Sequence, residues 1–253
     1  TVDRLSLHRP VLLQLIVTDQ MLRDGRYRAD LLNWVTSFPQ LAGIYLIYHV
    51  HSRRKQIDDI DFLIGLLQFC SSLKQAGLRV VVGYTNTEAV LLSCVRVDAV
   101  SMGAYENLRM FSTTAFEERD DTPRRGPNAR VYIPCLLQWV EYPYIGAIRR
   151  VVRDIDTYIH DNAHRVEMFA PTYNWHFTKP HPYKHFFGAF ATQFRRICSA
   201  TGDARTDAVV RECEQAMREY EQLSKAGIVF DSESAGRHIP RWLTALNLWR
   251  RTS

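Results

Sequence analysis

An acid, an imidazole, amides, hydroxyls and a guanidinium follow a series of apolar runs in this chain. Asp19 and Gln20 follow residues 11–17, and His49 and His51 close the run at 43–50. Tyr84 and Asn86 follow residues 79–82. Ser101, Tyr105, Glu106, Asn107 and Arg109 follow residues 97–100, and Gln138 and Glu141 follow a run at 130–135. A carboxylate serves as nucleophile or general base, and an imidazole carries a proton. Asp19, His49 and Glu106 are therefore the candidate catalytic residues. Gln20, Tyr84, Asn86, Ser101, Tyr105, Asn107 and Arg109 are the candidate substrate-binding residues. Each has a commonplace alternative: Asp19 as a helix cap, Glu106 and Arg109 as a surface pair, His51 as a solvated side chain. Their shared position is the informative feature, because strand ends line the site in parallel α/β folds.

The elements that must position these residues are legible as apolar periodicity. Residues 79–82 form an uncharged β-branched run after Arg79, suited to a strand buried on both faces. Thr85 or Asn86 is placed to cap the short helix that follows, and a second strand reads at 97–100. About a dozen residues separate the two, near the minimum for a parallel crossover. Residues 11–17 and 43–50 read as earlier strands, with helices at 29–38 and 57–76. Lys74-Gln75-Ala76-Gly77 gives the second helix a basic last turn and a C′ glycine. A long loop reads at 112–129, a fifth strand at 130–135, a helix at 145–160 and a sixth strand at 166–170. Beyond these come helices at 183–198 and 206–226 and a short one opened by Pro240. The stripe of Phe186, Phe190 and Phe194 is expected to pack on Val209, Cys213, Met217 and Tyr220.

This alternation predicts an α/β fold: a (βα) barrel, incomplete or lacking its first strands, with a C-terminal helical appendage. The expected division is a barrel-like domain at 1–172 and a helical region at 173–253. A chain of 253 residues, 46% hydrophobic, is long enough for a sizeable core. A formal charge of +5 points weakly to a polyanionic partner, and the basic residues come in small groups such as Arg53-Arg54-Lys55 and Arg149-Arg150. The five cysteines are widely spaced with no CxxC pair, which suits reduced, buried thiols in the cytoplasm rather than a zinc site. No apolar run reaches membrane-spanning length. The start at Thr1, close to a strand, suits a fragment or processed piece.

Tyr173, Trp175 and His176, followed by His181 and His185, form a second unusual cluster. His181 and His185 have a metal-compatible spacing, but Pro180 and Pro182 put His181 ahead of the helix and no glutamate completes an HExxH motif. An aromatic loop is the preferred reading, with a base-stacking platform as its functional alternative. P-loop, GxGxxG and GxSxG motifs are all missing, and no cofactor or metal is expected.

Gly83-Tyr84-Thr85-Asn86-Thr87-Glu88, Val97-Asp98-Ala99-Val100 and Glu106-Asn107-Leu108-Arg109 resemble, in order, the last part of the barrel in tRNA-guanine transglycosylases. The likeness covers 79–111. It implies a barrel that exchanges a base in a nucleic acid, tRNA or DNA. Two departures matter: Ser101 stands at the position matching the family's nucleophilic aspartate, and the family's zinc-binding CxCxxC cluster is missing. Asp19, a carboxylate at a strand end, is the best candidate acid. The expected function is a divergent transglycosylase-like enzyme acting on a nucleobase in nucleic acid. The alternatives are a non-catalytic nucleic-acid-binding or assembly module, docking a protein through its C-terminal helices, and a barrel enzyme for a small metabolite.

Overall fold

A computed structural model describes residues 10–50, 56–116 and 126–252. His51 and the basic groups at 53–55 and 124–125 lie outside the described residues. The chain divides into two compact units, one running to Phe116 and resuming at Arg241, the other formed by Glu117–Pro240. Residues 126–172 thus share a unit with 173–240.

The first unit is a parallel sheet with helices. Its strands are β1 (Val11–Thr18), β2 (Leu41–His49), β3 (Arg79–Gly83) and β4 (Ala99–Val100), hydrogen-bonded in the order β1-β2-β3-β4. All three pairings are parallel, as the four apolar runs predict. Between them lie α1 (Asp19–Arg23), α2 (Gly25–Thr36), α3 (Ile60–Gln75) and α4 (Ala89–Leu92). Burial differs along the sheet. β2 is buried on both faces from Leu46 onward, whereas β1 alternates, leaving Leu12 and Ile16 exposed. Gly43 lets β2 approach β3, since a Cβ there would stand 2.2 Å from the Arg79 carbonyl oxygen.

α3 supplies much of this unit's core through Phe62, Leu63, Leu66, Leu67, Phe69, Cys70 and Leu73. The Asp59 side chain caps its start by accepting from the Phe62 amide at 2.8 Å. Gly77 closes its end at φ +80, with the Leu78 amide bonding back to the Leu73 carbonyl. Trp242 of α9 (Ile239–Thr252) is fully buried, and its indole N–H donates to the Ile57 carbonyl at 2.7 Å.

The second unit is built on an antiparallel hairpin, β5 (Arg130–Ile133) and β6 (Gln138–Glu141), which form a sheet of their own. Sequence periodicity places the first of these but misses β6, whose turn residue Leu137 adopts φ 49 without the usual glycine or asparagine. Helices α5 (Tyr142–Val151), α6 (Ala163–Met168), α7 (His181–Cys198) and α8 (Asp203–Lys225) complete the unit. The sixth strand expected at 166–170 is instead the end of α6 and the residues after it. Asn162 sets that helix by accepting from the amides of His164 and Arg165. The aromatic stripe of α7 also differs from expectation. Phe186 and Phe190 pack edge-on against Tyr132 of the hairpin, and Phe186 lies 4.7 Å from Trp139. Met217 of α8 is exposed, and Tyr220 turns to Phe230. A lone two-stranded hairpin cannot bury its own face, so the phenylalanines cover it.

Candidate strand-end site

The C-terminal edge of the parallel sheet gathers most of the predicted site residues. Thr18 pairs with His49 in register, so Asp19 and His49 leave the sheet from neighbouring strands. On its other side His49 forms a parallel bridge with Phe111. Both side chains are largely buried, Asp19 at 8% and His49 at 4% exposure.

Thr18 caps α1, which leaves Asp19 in the helix's first turn rather than as its cap. Asp19 Oδ1 accepts from the Gln20 amide at 2.9 Å, and Oδ2 accepts from Arg23 at 3.4 Å. Arg23 also bonds Asp59 at 2.9 Å, so its charge is shared between two acids. The Thr113 amide donates to His49 Nδ1 at 3.3 Å. Accepting at Nδ1 puts the neutral ring's proton on Nε2. The His49 ring meets Phe111 edge-on at 6.3 Å, and Tyr84 meets the same ring at 5.6 Å. Phe116, 81% exposed, extends this aromatic group from 6.1 Å.

The turn after β3 is the most constrained part of the site. Tyr84 holds φ 57, a strained backbone for a bulky residue. The Ser101 carbonyl fastens the turn by accepting from the Thr85 amide at 3.0 Å and from its hydroxyl at 3.2 Å. Ser101 thus acts through its main chain, with its side chain exposed. Neither Thr85 nor Asn86 caps α4. Glu88 occupies that N-cap without a capping bond from its side chain.

Glu88 instead turns inward, at 1% exposure. Its Oε1 accepts from the Tyr48 hydroxyl at 2.6 Å and from the Asn86 amide at 2.7 Å. Its Oε2 is buried and accepts no hydrogen bond among the described residues. Burial raises its pKa above the ordinary 4.5, against the lowering effects of those two donors and of the Arg109 charge. Burial likewise raises the Tyr48 phenol, and the Glu88 charge adds to it. Beside them Thr87 donates to Gln56 Oε1 at 2.7 Å. Sequence reading singles out none of Tyr48, Gln56, Thr87 and Glu88 as a site residue. Glu88 there is only part of the Gly83–Glu88 stretch that carries the resemblance.

Residues 105–109 are split by exposure. Arg109 is buried and its Nε donates to the Tyr105 carbonyl at 3.5 Å. Glu106 opens a single 3-10 turn and is half-buried. Gln20, Tyr105 and Asn107 are exposed. Gln138 and Glu141 belong to the other unit, where Gln138 donates to the Glu233 carbonyl and Glu141 pairs with Arg130.

Among the described residues no group of three or more His, Cys, Asp and Glu side chains is arranged to hold a metal ion. None of the five cysteines forms a disulfide among the described residues. No helix among the described residues is long and apolar enough to cross a membrane. His181 is the first residue of α7 rather than one preceding it, and it bonds Glu167. Comparison with protein-family models, with curated proteins and with solved structures gives no match.

Proposed function

We propose that this chain is a divergent transglycosylase-like (βα) barrel protein that acts on a nucleobase in nucleic acid, tRNA or DNA. The sequential strand order β1-β2-β3-β4 supports the barrel, because doubly wound sheets reverse order at a switch point. The observation that carries the functional reading is the pairing of Thr18 with His49, which brings a carboxylate and an imidazole to one strand edge beside an aromatic group. Asp19 is the nucleophile: its carboxylate forms a bond to the sugar C1′ as the glycosidic C–N bond breaks. The His49 Nε2–H donates a hydrogen bond to the departing base, which leaves as its anion and takes its proton from water, and an incoming base that has lost that proton reverses both steps. Tyr84, Phe111 and exposed Phe116 supply rings on which a base stacks. Arg109 and Asn86, both buried, are the polar groups that recognise the base, and Glu106 is a second acid. The zinc cluster of the transglycosylases has no counterpart among these residues, and no step runs through a metal.

A second reading, a non-catalytic nucleic-acid-binding module, has its own support. Both Asp19 oxygens already accept hydrogen bonds, and Ser101 is used only through its main chain. Base-release and base-exchange assays on tRNA and DNA, run with the native chain and with Asp19→Asn, separate the two. Under the enzyme reading Asp19→Asn abolishes turnover and leaves nucleic-acid affinity nearly unchanged. Salt-sensitive binding without turnover by the native chain favours the module. Undetectable binding at low ionic strength removes both and leaves the small-metabolite barrel.

A further inference from the structure

The second unit carries a continuous aromatic and basic strip on and beside α5. Tyr142, at the start of that helix, is stacked on Trp175 with ring centres 5.3 Å apart and planes at 5°. Trp175 meets Phe169 edge-on at 5.9 Å and Tyr173 at 5.3 Å. The Arg149 guanidinium lies 4.9 Å over the Phe169 ring. Rings and cation therefore form one connected series from Tyr142 to Arg149. Tyr142 is 41% exposed, so its ring remains open to solvent although Trp175 stacks on it. Position 146, one turn after Tyr142, is glycine, and a Cβ built there meets nothing within 4 Å.

Arg149, Arg150 and Arg153 follow within a few residues, all exposed. None of the three forms an ion pair among the described residues. Arg130, Arg165 and Arg196 of the same unit, by contrast, are each paired with a carboxylate. Their place at the C-terminal end of α5 suits the helix dipole, which accounts for their sign. Phe169, Tyr173 and Trp175 pack on the unit's core, and Tyr142 is the ring of the series that stays exposed beside them. An exposed stacking face next to cations without acidic partners is the combination that single-stranded nucleic acid uses: bases on the rings, phosphates on the guanidiniums.

We infer that this strip is a binding surface for single-stranded nucleic acid, with a base stacking on the Tyr142–Trp175 pair and phosphates held by Arg149, Arg150 and Arg153. The inference rests on the nucleic-acid reading of the chain but assigns binding to residues of the second unit. The charge favours a polyanion over a neutral or basic protein partner.

The test is binding of a labelled oligo-uridine strand by fluorescence anisotropy across a salt series. Trp175→Ala is expected to weaken binding roughly tenfold, while Trp175→Phe retains most of it. Replacing Arg149, Arg150 and Arg153 together by alanine should flatten the salt dependence by about two in log–log slope, since each phosphate contact contributes about 0.7. Circular dichroism of each variant checks that the unit remains folded, and the phenylalanine variant guards against a purely structural loss. Binding by the native chain that neither Trp175→Ala nor the triple arginine variant changes would overturn this inference alone. Failure of the native chain to bind any nucleic acid at low salt would overturn the functional reading with it.

Discussion

The two units each bury a tyrosine hydroxyl against a polar side chain, and they do so differently. In the parallel-sheet unit, Tyr48 donates to the carboxyl of Glu88, an ionisable group held inside with one oxygen accepting nothing among the described residues. In the hairpin unit, Tyr132 donates to Gln193 at 2.6 Å, a neutral amide whose nitrogen in turn donates to the Pro134 carbonyl and to Glu212. There the charge stands at the edge, where Glu212 pairs with exposed Arg196. The hairpin unit thus gives its buried tyrosine a neutral partner whose own amide hydrogens are both used, an arrangement that stabilises. The sheet unit tolerates a buried acid at its strand ends, a costly arrangement of the kind found at sites that do chemistry.

The contrast is sharpest in packing. Phe190 is 4% exposed among Tyr132, Phe186 and Phe194. Phe190→Ala is expected to cost about 3–5 kcal/mol in chemical denaturation. A loss below about 1 kcal/mol would remove the claim that the hairpin unit is organised around stability.

Next in size comes a difference in sign with pH. Burial lowers His185 to about 4 and His238 to about 3, against an ordinary 6.5. Around His185 stand His160, which accepts its Nε2 proton through the main chain, with His164 and Arg165 opposing a second positive charge. His238 Nε2 faces the Leu137 carbonyl. Both imidazoles are neutral in the fold, so their contribution is full above 6.5 and is lost as pH falls toward the folded values. The hairpin unit should lose about 2 kcal/mol per histidine by pH 5. His238→Asn should shrink that acid loss in unfolding curves at pH 7 and pH 5. Glu88 runs the other way. Its raised value makes its contribution full below 4.5 and lost as pH rises through the folded value. Glu88→Gln keeps an acceptor for Tyr48 and is expected to stabilise the chain at pH 8 by on the order of 1 kcal/mol, with no gain at pH 4. Destabilisation at both pH values would mean the carboxylate is compensated after all.

The parallel sheet is legible in sequence because its strands are apolar runs separated by helices, one of them closed by the C′ glycine Gly77. What escapes reading depends on partners distant in sequence. β6 turns at Leu137, a residue type that carries no hairpin signal, and the run at 166–170 yields to the Asn162 cap. Asp19 and His49 are found because strand ends are visible in one dimension. Glu88 is missed because an acid at the start of a short helix ordinarily faces water, and its inward turn needs Tyr48, forty residues earlier. Arg109 is named as a candidate substrate-binding residue, with a surface pair to Glu106 as its alternative. Its burial follows from the fold of residues 103–109, where a Cβ on Gly103 would stand 2.1 Å from that of Leu108.

The most direct test of a nucleobase at the strand ends is photocrosslinking of the native chain to an oligonucleotide carrying a single photoreactive base, with adducts mapped by mass spectrometry. The account expects adducts at Tyr84 and within 105–116, around Phe111 and Phe116, that unlabelled nucleic acid competes away. Efficient crosslinking with no adduct in either segment would contradict it.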